Sequence, residues 1–292
     1  MAATGVAIGV IFLVQMVVGV LGNFSLLCHY LFLHLTGCKL RFTDWIMQHL
    51  VVANLLTLLC NGLQQIMGAF GLKNFLDDLG CKLLVYLHRV GRNVIMNSTS
   101  FLSVFQVITI SPKSSRWTNL RLKSPSFIAS CVSLSWILSF TINIAFPMDL
   151  TSRWSHRNIT SLKGFGSKSL DMFHAVLLTG TDVMFMKLIL CSSGYLISIL
   201  YRHNQRMKHI HRNNSPPRSS PESKATKTIL LLVSTFLCFY TRSCLFQVNL
   251  ALMYNPDEFM VNLSALSSVF GGFPVVSPFL IMSLGSRSDI RK

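Results

Sequence analysis

Seven stretches of this chain are long and apolar enough to cross a lipid bilayer, and no polar stretch between them is long enough to bury a core of its own. A membrane-crossing helix takes about 20 mostly apolar residues. The stretches run at approximately 5–33, 43–68, 79–110, 126–147, 172–201, 226–252 and 259–284. They predict an all-α membrane protein: a single domain over residues 1–292, folded as a multi-pass seven-transmembrane helix bundle. The seventh stretch contains Gly271, Gly272, Pro274 and Pro278, which membrane helices tolerate when neighbours satisfy the freed backbone groups. Composition agrees. Hydrophobic residues make up 51% of the chain and charged residues 12%, against about a quarter charged in soluble domains, so most of the surface avoids water. The N-terminus runs almost at once into the apolar run Val6–Phe32. It lacks a basic leader and a small-residue cleavage site, and is read as a signal-anchor helix.

Net charge is +16, and its distribution decides what it means. The loops at 34–42, 111–125, 202–225 and 285–292, with the adjoining Lys227, hold about sixteen Lys and Arg, whereas those at 1–5, 69–80, 148–171 and 253–258 hold about five. Cytoplasmic loops carry the basic excess, so the N-terminus is expected outside and the C-terminus in the cytoplasm. The charge is then a topology and anionic-lipid signal, and nucleic acid is not an expected partner. The longest cytoplasmic connection, Tyr201 to Lys227, continues the fifth helix with basic side chains until Pro216, Pro217 and Pro221 break it. Such a helix end suits a cytoplasmic protein partner, lipid headgroups, or both.

The third stretch stands apart. From Cys81 to Pro112 it has helical length, but its outer third carries His88, Arg89 and Arg92. Cations at that depth must face protein or a water-filled cavity. His88 and Arg92 are four apart and share a helix face, with Arg89 one position round; they begin about two turns, or roughly 10 Å, inside the outer end. They either line an outward-facing pocket for an acidic or hydrogen-bond-accepting ligand, pair with bundle carboxylates or carbonyls, or snorkel. Asp182 in the fifth helix is the obvious carboxylate. Lys187 and Arg242 are further intramembrane cations.

Other motifs are sparse. Asn158-Ile-Thr lies in a loop assigned to the outside and is the sequon expected to be glycosylated; Asn23-Phe-Ser and Asn97-Ser-Thr fall within spans. Cys28, Cys60, Cys131, Cys191, Cys238 and Cys244 also lie within spans and read as small packing residues. Cys38 is cytoplasmic and reduced, and Cys81 sits at an outer helix end. No histidine pairs with a second ligand at metal spacing, so neither a metal nor another cofactor is expected. No catalytic motif is present, neither His-Glu-x-x-His nor Gly-x-Ser-x-Gly nor a phosphate-cradling glycine loop. Enzymatic activity is therefore not expected. Lack of an internal repeat, and too few acidic residues in the spans for a proton relay or cation filter, argue against a transporter or channel.

Several runs carry a family likeness. They are His-Leu-Val-Val-Ala-Asn-Leu-Leu-Thr-Leu-Leu from His49, Tyr-Leu-His-Arg-Val-Gly-Arg from Tyr86, and Leu-Ser-Val-Phe-Gln-Val-Ile-Thr-Ile-Ser-Pro-Lys-Ser-Ser-Arg-Trp from Leu102. Further runs begin at Gly68, Leu200 and Lys224, and Ser-Pro-Phe-Leu-Ile begins at Ser277. Together they closely resemble vomeronasal type-1 receptors over nearly the whole chain. The resemblance implies a seven-helix G-protein-coupled receptor that detects small pheromone-like molecules and signals through an inhibitory-class heterotrimeric G protein. It makes His88, Arg89, Arg92 and Asp182 candidate ligand contacts, and Gln106, Arg116, Arg202, Arg206 and Lys208 candidate G-protein contacts. It also accounts for Phe105-Gln106-Val107 in place of Asp-Arg-Tyr and for Asn54 in place of a sodium-site aspartate. Two positions depart from it. The second outer loop reads Gly164-Phe165-Gly166-Ser167 where the family carries a cysteine, so Cys81 is expected to be unpaired. Arg242 stands where an apolar residue is expected. A non-signalling receptor remnant is therefore the alternative function.

Overall fold

The structure, a computed structural model, describes residues 2–37, 42–70, 77–110, 124–144, 180, 183–199, 201–202, 205, 230–241 and 272–285. Among these the chain is all-helical, with α1 Ala2–Leu35, α2 Phe42–Ala69, α3 Asp78–Ile110, α4 Ser124–Asn143, α5 Val183–Ile199, α6 Leu230–Thr241 and α7 Gly272–Gly285. Each falls on one of the seven expected stretches. The expected beginnings of the fifth and seventh helices and the end of the sixth lie outside the described residues. Two apolar windows, Gly9–Leu35 and Thr43–Met67, have the length and mean hydropathy (2.2 and 1.5) to span a membrane by themselves.

Local chemistry sets the helix ends. After α1 the chain turns at Gly37, whose φ of 70° is the left-handed conformation that glycine adopts without Cβ strain. The Thr36 amide and hydroxyl both donate to the Phe32 carbonyl, at 3.0 and 2.9 Å, covering an acceptor that the helix leaves open. Ser124-Pro125 opens α4, with proline where its missing N–H costs no helical bond.

The helices pack with α2 against α1, α3, α4 and α7, while α3 also lies against α4 and α1 against α7. The core runs through Leu50, Val51, Val90, Val94 and Leu102, with Ile189 from α5 and Leu232 from α6. At Gly91 a Cβ would collide with the Thr57 hydroxyl and come within 3.2 Å of the Ala53 carbonyl, so α2 and α3 approach backbone to backbone there.

The polarity is inverted relative to a water-soluble protein. Phe32 is 64% exposed, Ile137 60% and Met184 69%, whereas Asn54, Thr99, Ser100 and Ser103 are fully buried. The buried hydroxyls are largely satisfied within their own helices: Thr99 donates to the Ile95 carbonyl at 2.7 Å, Ser100 to Met96 at 2.8 Å and Ser103 to Thr99 at 2.9 Å. Apolar side chains outward and self-satisfied polar groups inward are what a hydrocarbon solvent selects. The same inversion corrects the reading of the cysteines. Cys60 is buried, as packing required, but Cys28, Cys191 and Cys238 are exposed on helix surfaces, where a thiol meets lipid as a small apolar group. Cys244 and Cys38 lie outside the described residues.

Candidate functional site

The polar interior has two centres. The first joins α1, α2 and α7. Pro278 has no N–H, so it cannot donate to the carbonyl of Pro274 four residues back. Asn23 of α1 fills that gap, its Nδ2 donating to the Pro274 carbonyl at 2.8 Å and to the Gly19 carbonyl at 2.7 Å. Its Oδ1 accepts from Asn54 Nδ2 at 3.1 Å, and the same Asn54 nitrogen donates to Ser277 Oγ at 2.8 Å. The expectation that neighbours satisfy the backbone freed by the α7 prolines is met by a named side chain. Asn23 also heads a sequon, and its complete burial makes it a structural residue.

The second centre is the upper half of α3. His88 lies beside the backbone of Thr57 on α2. One turn further in, the Arg92 guanidinium carbon lies 5.8 Å from the centre of the Tyr240 ring on α6, within cation–π range. Tyr240 stacks on Phe236 at 5.8 Å, and Phe236 meets Phe273 of α7 edge-on at 5.1 Å. Aromatic contacts thus run from the α3 cation across α6 to α7. On the opposite side of α3, Tyr86 donates to the Phe140 carbonyl at 3.0 Å and Asn97 Nδ2 to Ser135 Oγ at 2.9 Å, both on α4. Trp136 of α4 donates to His49 of α2 at 3.2 Å.

Of the candidate ligand contacts, His88, Arg89 and Arg92 stand together, half-buried, on α3; Asp182 lies outside the described residues. Among the candidate G-protein contacts, Gln106 is buried near the C-terminal end of α3 and Arg202 is exposed just beyond α5. Arg116, Arg206 and Lys208 lie outside the described residues, as do Asn158, Gly166 and Arg242. Lys187 is exposed on α5, and Cys81 is exposed in the first turn of α3. Sequence reasoning missed Tyr240, because an aromatic at helical spacing reads as core. It also missed Asn23, whose contact with α7 spans 251 residues of sequence.

This arrangement places a cationic stretch of α3 in contact with α6 and, through Phe236 and Phe273, with α7. Comparison with known proteins gives it a context. Residues 6–288 match the Vomeronasal organ pheromone receptor family. The chain is 51% identical to human Vomeronasal type-1 receptor 4 over 290 residues, covering 97% of this chain and 95% of that protein. It is 45% identical to human Vomeronasal type-1 receptor 3, covering 98% and 94%, and 31% identical to rat Vomeronasal type-1 receptor 90, covering 95% and 90%. With likeness of this extent over nearly the full length of both partners, the chain belongs to the vomeronasal type-1 receptor family of membrane chemosensory receptors, which are signalling proteins and not enzymes.

Proposed function

We propose that this receptor sits in the plasma membrane with seven spans, N-terminus outside, and binds a small pheromone-like ligand among the outer halves of α3, α5 and α6. The observation that carries this reading is Arg92 over Tyr240, with His88 and Arg89 beside it. A ligand with a hydrogen-bond acceptor or negative charge competes with the aromatic ring for the guanidinium. Displacing the ring alters the α3–α6 contact and, through Phe236 and Phe273, the seating of α7. The inner ends then open to an inhibitory-class heterotrimeric G protein. Arg116, Arg202, Arg206 and Lys208 meet it from the cytoplasmic side, and Gln106 becomes accessible only on opening. Asp182 is the carboxylate that would counter the α3 cations in the resting state. The test is ligand-evoked inhibition of cyclic AMP in cells carrying the receptor. Silence across a broad panel of volatile and steroid-like compounds, with surface expression demonstrated, would refute the reading.

A second reading, a remnant that inserts but no longer signals, is favoured by Gly166 and Arg242. A loop disulfide is worth about 2–4 kcal/mol, and an arginine at mid-membrane costs about 2.5–3.5 kcal/mol on insertion scales. Surface labelling of Gly166→Cys and of Arg242→Leu tests it. Signalling that appears only in the doubly altered receptor identifies the remnant, and signalling by the unaltered chain excludes it.

A further inference from the structure

A recess opens on the lateral surface of the bundle where α3, α4 and α5 meet. It is lined by Asn93, Met96 and Asn97 of α3, Leu138, Ser139 and Ile142 of α4, and Phe185 of α5, and is a shallow, open recess with a cavity volume of about 10 Å³, room for one water-sized group. It lies round the helix from the face on which Arg92 meets Tyr240, and Asn93 falls one turn further in than Arg89. Two features define what fits it. Its surroundings are apolar and exposed, with Leu134, Ile137 and Leu138 forming the outer face of α4, so what reaches it comes from lipid. Its floor is polar. Asn97 and Ser139 already hydrogen bond within the protein, Asn97 to Ser135 Oγ at 2.9 Å and Ser139 to the Ser135 carbonyl at 2.7 Å. Among the described residues no hydrogen bond engages the Asn93 carboxamide. A carboxamide facing hydrocarbon with its donors and acceptor unused is costly, and a ligand that supplies one hydroxyl removes that cost.

We propose that this recess is a lateral binding site for a bilayer-dissolved alcohol, a neutral amphiphile with one hydroxyl group on a long apolar body. The hydroxyl reaches Asn93. The hydroxyl fills the water-sized floor, the adjoining carbons lie across the mouth against Leu138, Ile142 and Phe185, and the rest of the body stays in the membrane, because the recess is too shallow to enclose it. Both groups of a primary alcohol are used there, its O–H donating to the carboxamide oxygen and its oxygen accepting from the carboxamide nitrogen. The proposal rests on the seven-span reading but not on signalling, so it is tested by labelling.

The full chain in lipid nanodiscs is irradiated with hexadecanol carrying a diazirine beside the hydroxyl and a terminal alkyne. The expected result is labelling of the α4 peptide at Leu138–Ile142 that unlabelled hexadecanol suppresses and hexadecane does not. Asn93→Leu, which removes the polar group, and Ile142→Trp, which fills the space, each lower that labelling about three- to tenfold, the loss of one hydrogen bond or of the seat itself. Equal competition by hexadecane, or undiminished labelling of both variants with unchanged thermal melts, overturns the proposal. Should either variant fail to fold, the competition on the unaltered protein decides. A diazirine alkane lacking the hydroxyl reports on the spans separately. If it fails to label Leu134 and Ile137, the seven-span reading falls and the recess with it, whereas general α4 labelling without hydroxyl selectivity removes the recess alone.

Discussion

Asn54 donates both to Asn23 and to Ser277 from one carboxamide nitrogen, so its chemistry cannot be replaced by a residue that only accepts. Asn54→Leu leaves Ser277 and the Asn23 oxygen without their donor and is expected to destabilise the receptor by about 1–3 kcal/mol, read as a lower melting temperature in nanodiscs. An ionised Asn54→Asp fails for the same reason, and Asn54→Gln recovers only part of the loss. At the second centre the contact to test is the Tyr240 ring face, 5.8 Å from the Arg92 guanidinium carbon. Tyr240→Phe is expected to leave ligand potency within about threefold, whereas Tyr240→Leu removes a cation–π contact worth up to about 2 kcal/mol in a desolvated site and shifts potency by up to about thirtyfold. A dose–response curve of cyclic AMP inhibition checks both. Equal loss from the two substitutions would show that the hydroxyl is what Arg92 responds to.

Between helices, α3 crosses α2 closely at Gly91. Gly91→Leu forces a side chain into the Thr57 hydroxyl and the Ala53 carbonyl and is expected to cost about 1–3 kcal/mol or to abolish folding. Gly194 has no heavy atom within 4 Å of a built Cβ, so Gly194→Ala should be neutral or slightly stabilising by about 0.5–1 kcal/mol. Melting temperatures of the two variants separate a packing glycine from an incidental one. The proline break in α7 gives a sharper test. Asn23→Ala leaves the Pro274 carbonyl bare, and Pro278→Ala gives α7 an N–H with which to cover it. The combined variant is expected to be more stable than the sum of the single losses, by a coupling of about 0.5–3 kcal/mol. Part of this was legible in the sequence. Pro274 and Pro278 announced freed backbone groups in the seventh helix, and His88, Arg89 and Arg92 announced a protein-facing side of the third. The partners were not legible. Asn23 and Tyr240 carry no local mark of their contacts, because partner identity depends on which helix faces arrive side by side. Cys28, Cys191 and Cys238 were misread because a thiol is accepted equally by a packed interior and by lipid.

Over the whole molecule, the distribution of Lys and Arg argues for one orientation, and under that proposed orientation Asn158 is an acceptor on the outer side. Endoglycosidase treatment of receptor from cells is expected to increase its mobility on a gel, and Asn158→Gln to abolish that increase; a shift that persists in the variant would move the modification elsewhere. The interior of α3 has a mechanical consequence. Thr99, Ser100 and Ser103 anchor their hydroxyls to their own backbone, so those bonds travel with the rod when it turns. These three hydroxyls therefore offer no resistance to rotation of α3, whereas Tyr86 to Phe140 and Asn97 to Ser135 grip it from the α4 side, nearer its N-terminal end. With Arg92 as the ligand contact proposed above, a torque on α3 meets that grip close to where it acts, and the three hydroxyl bonds move with the helix unbroken.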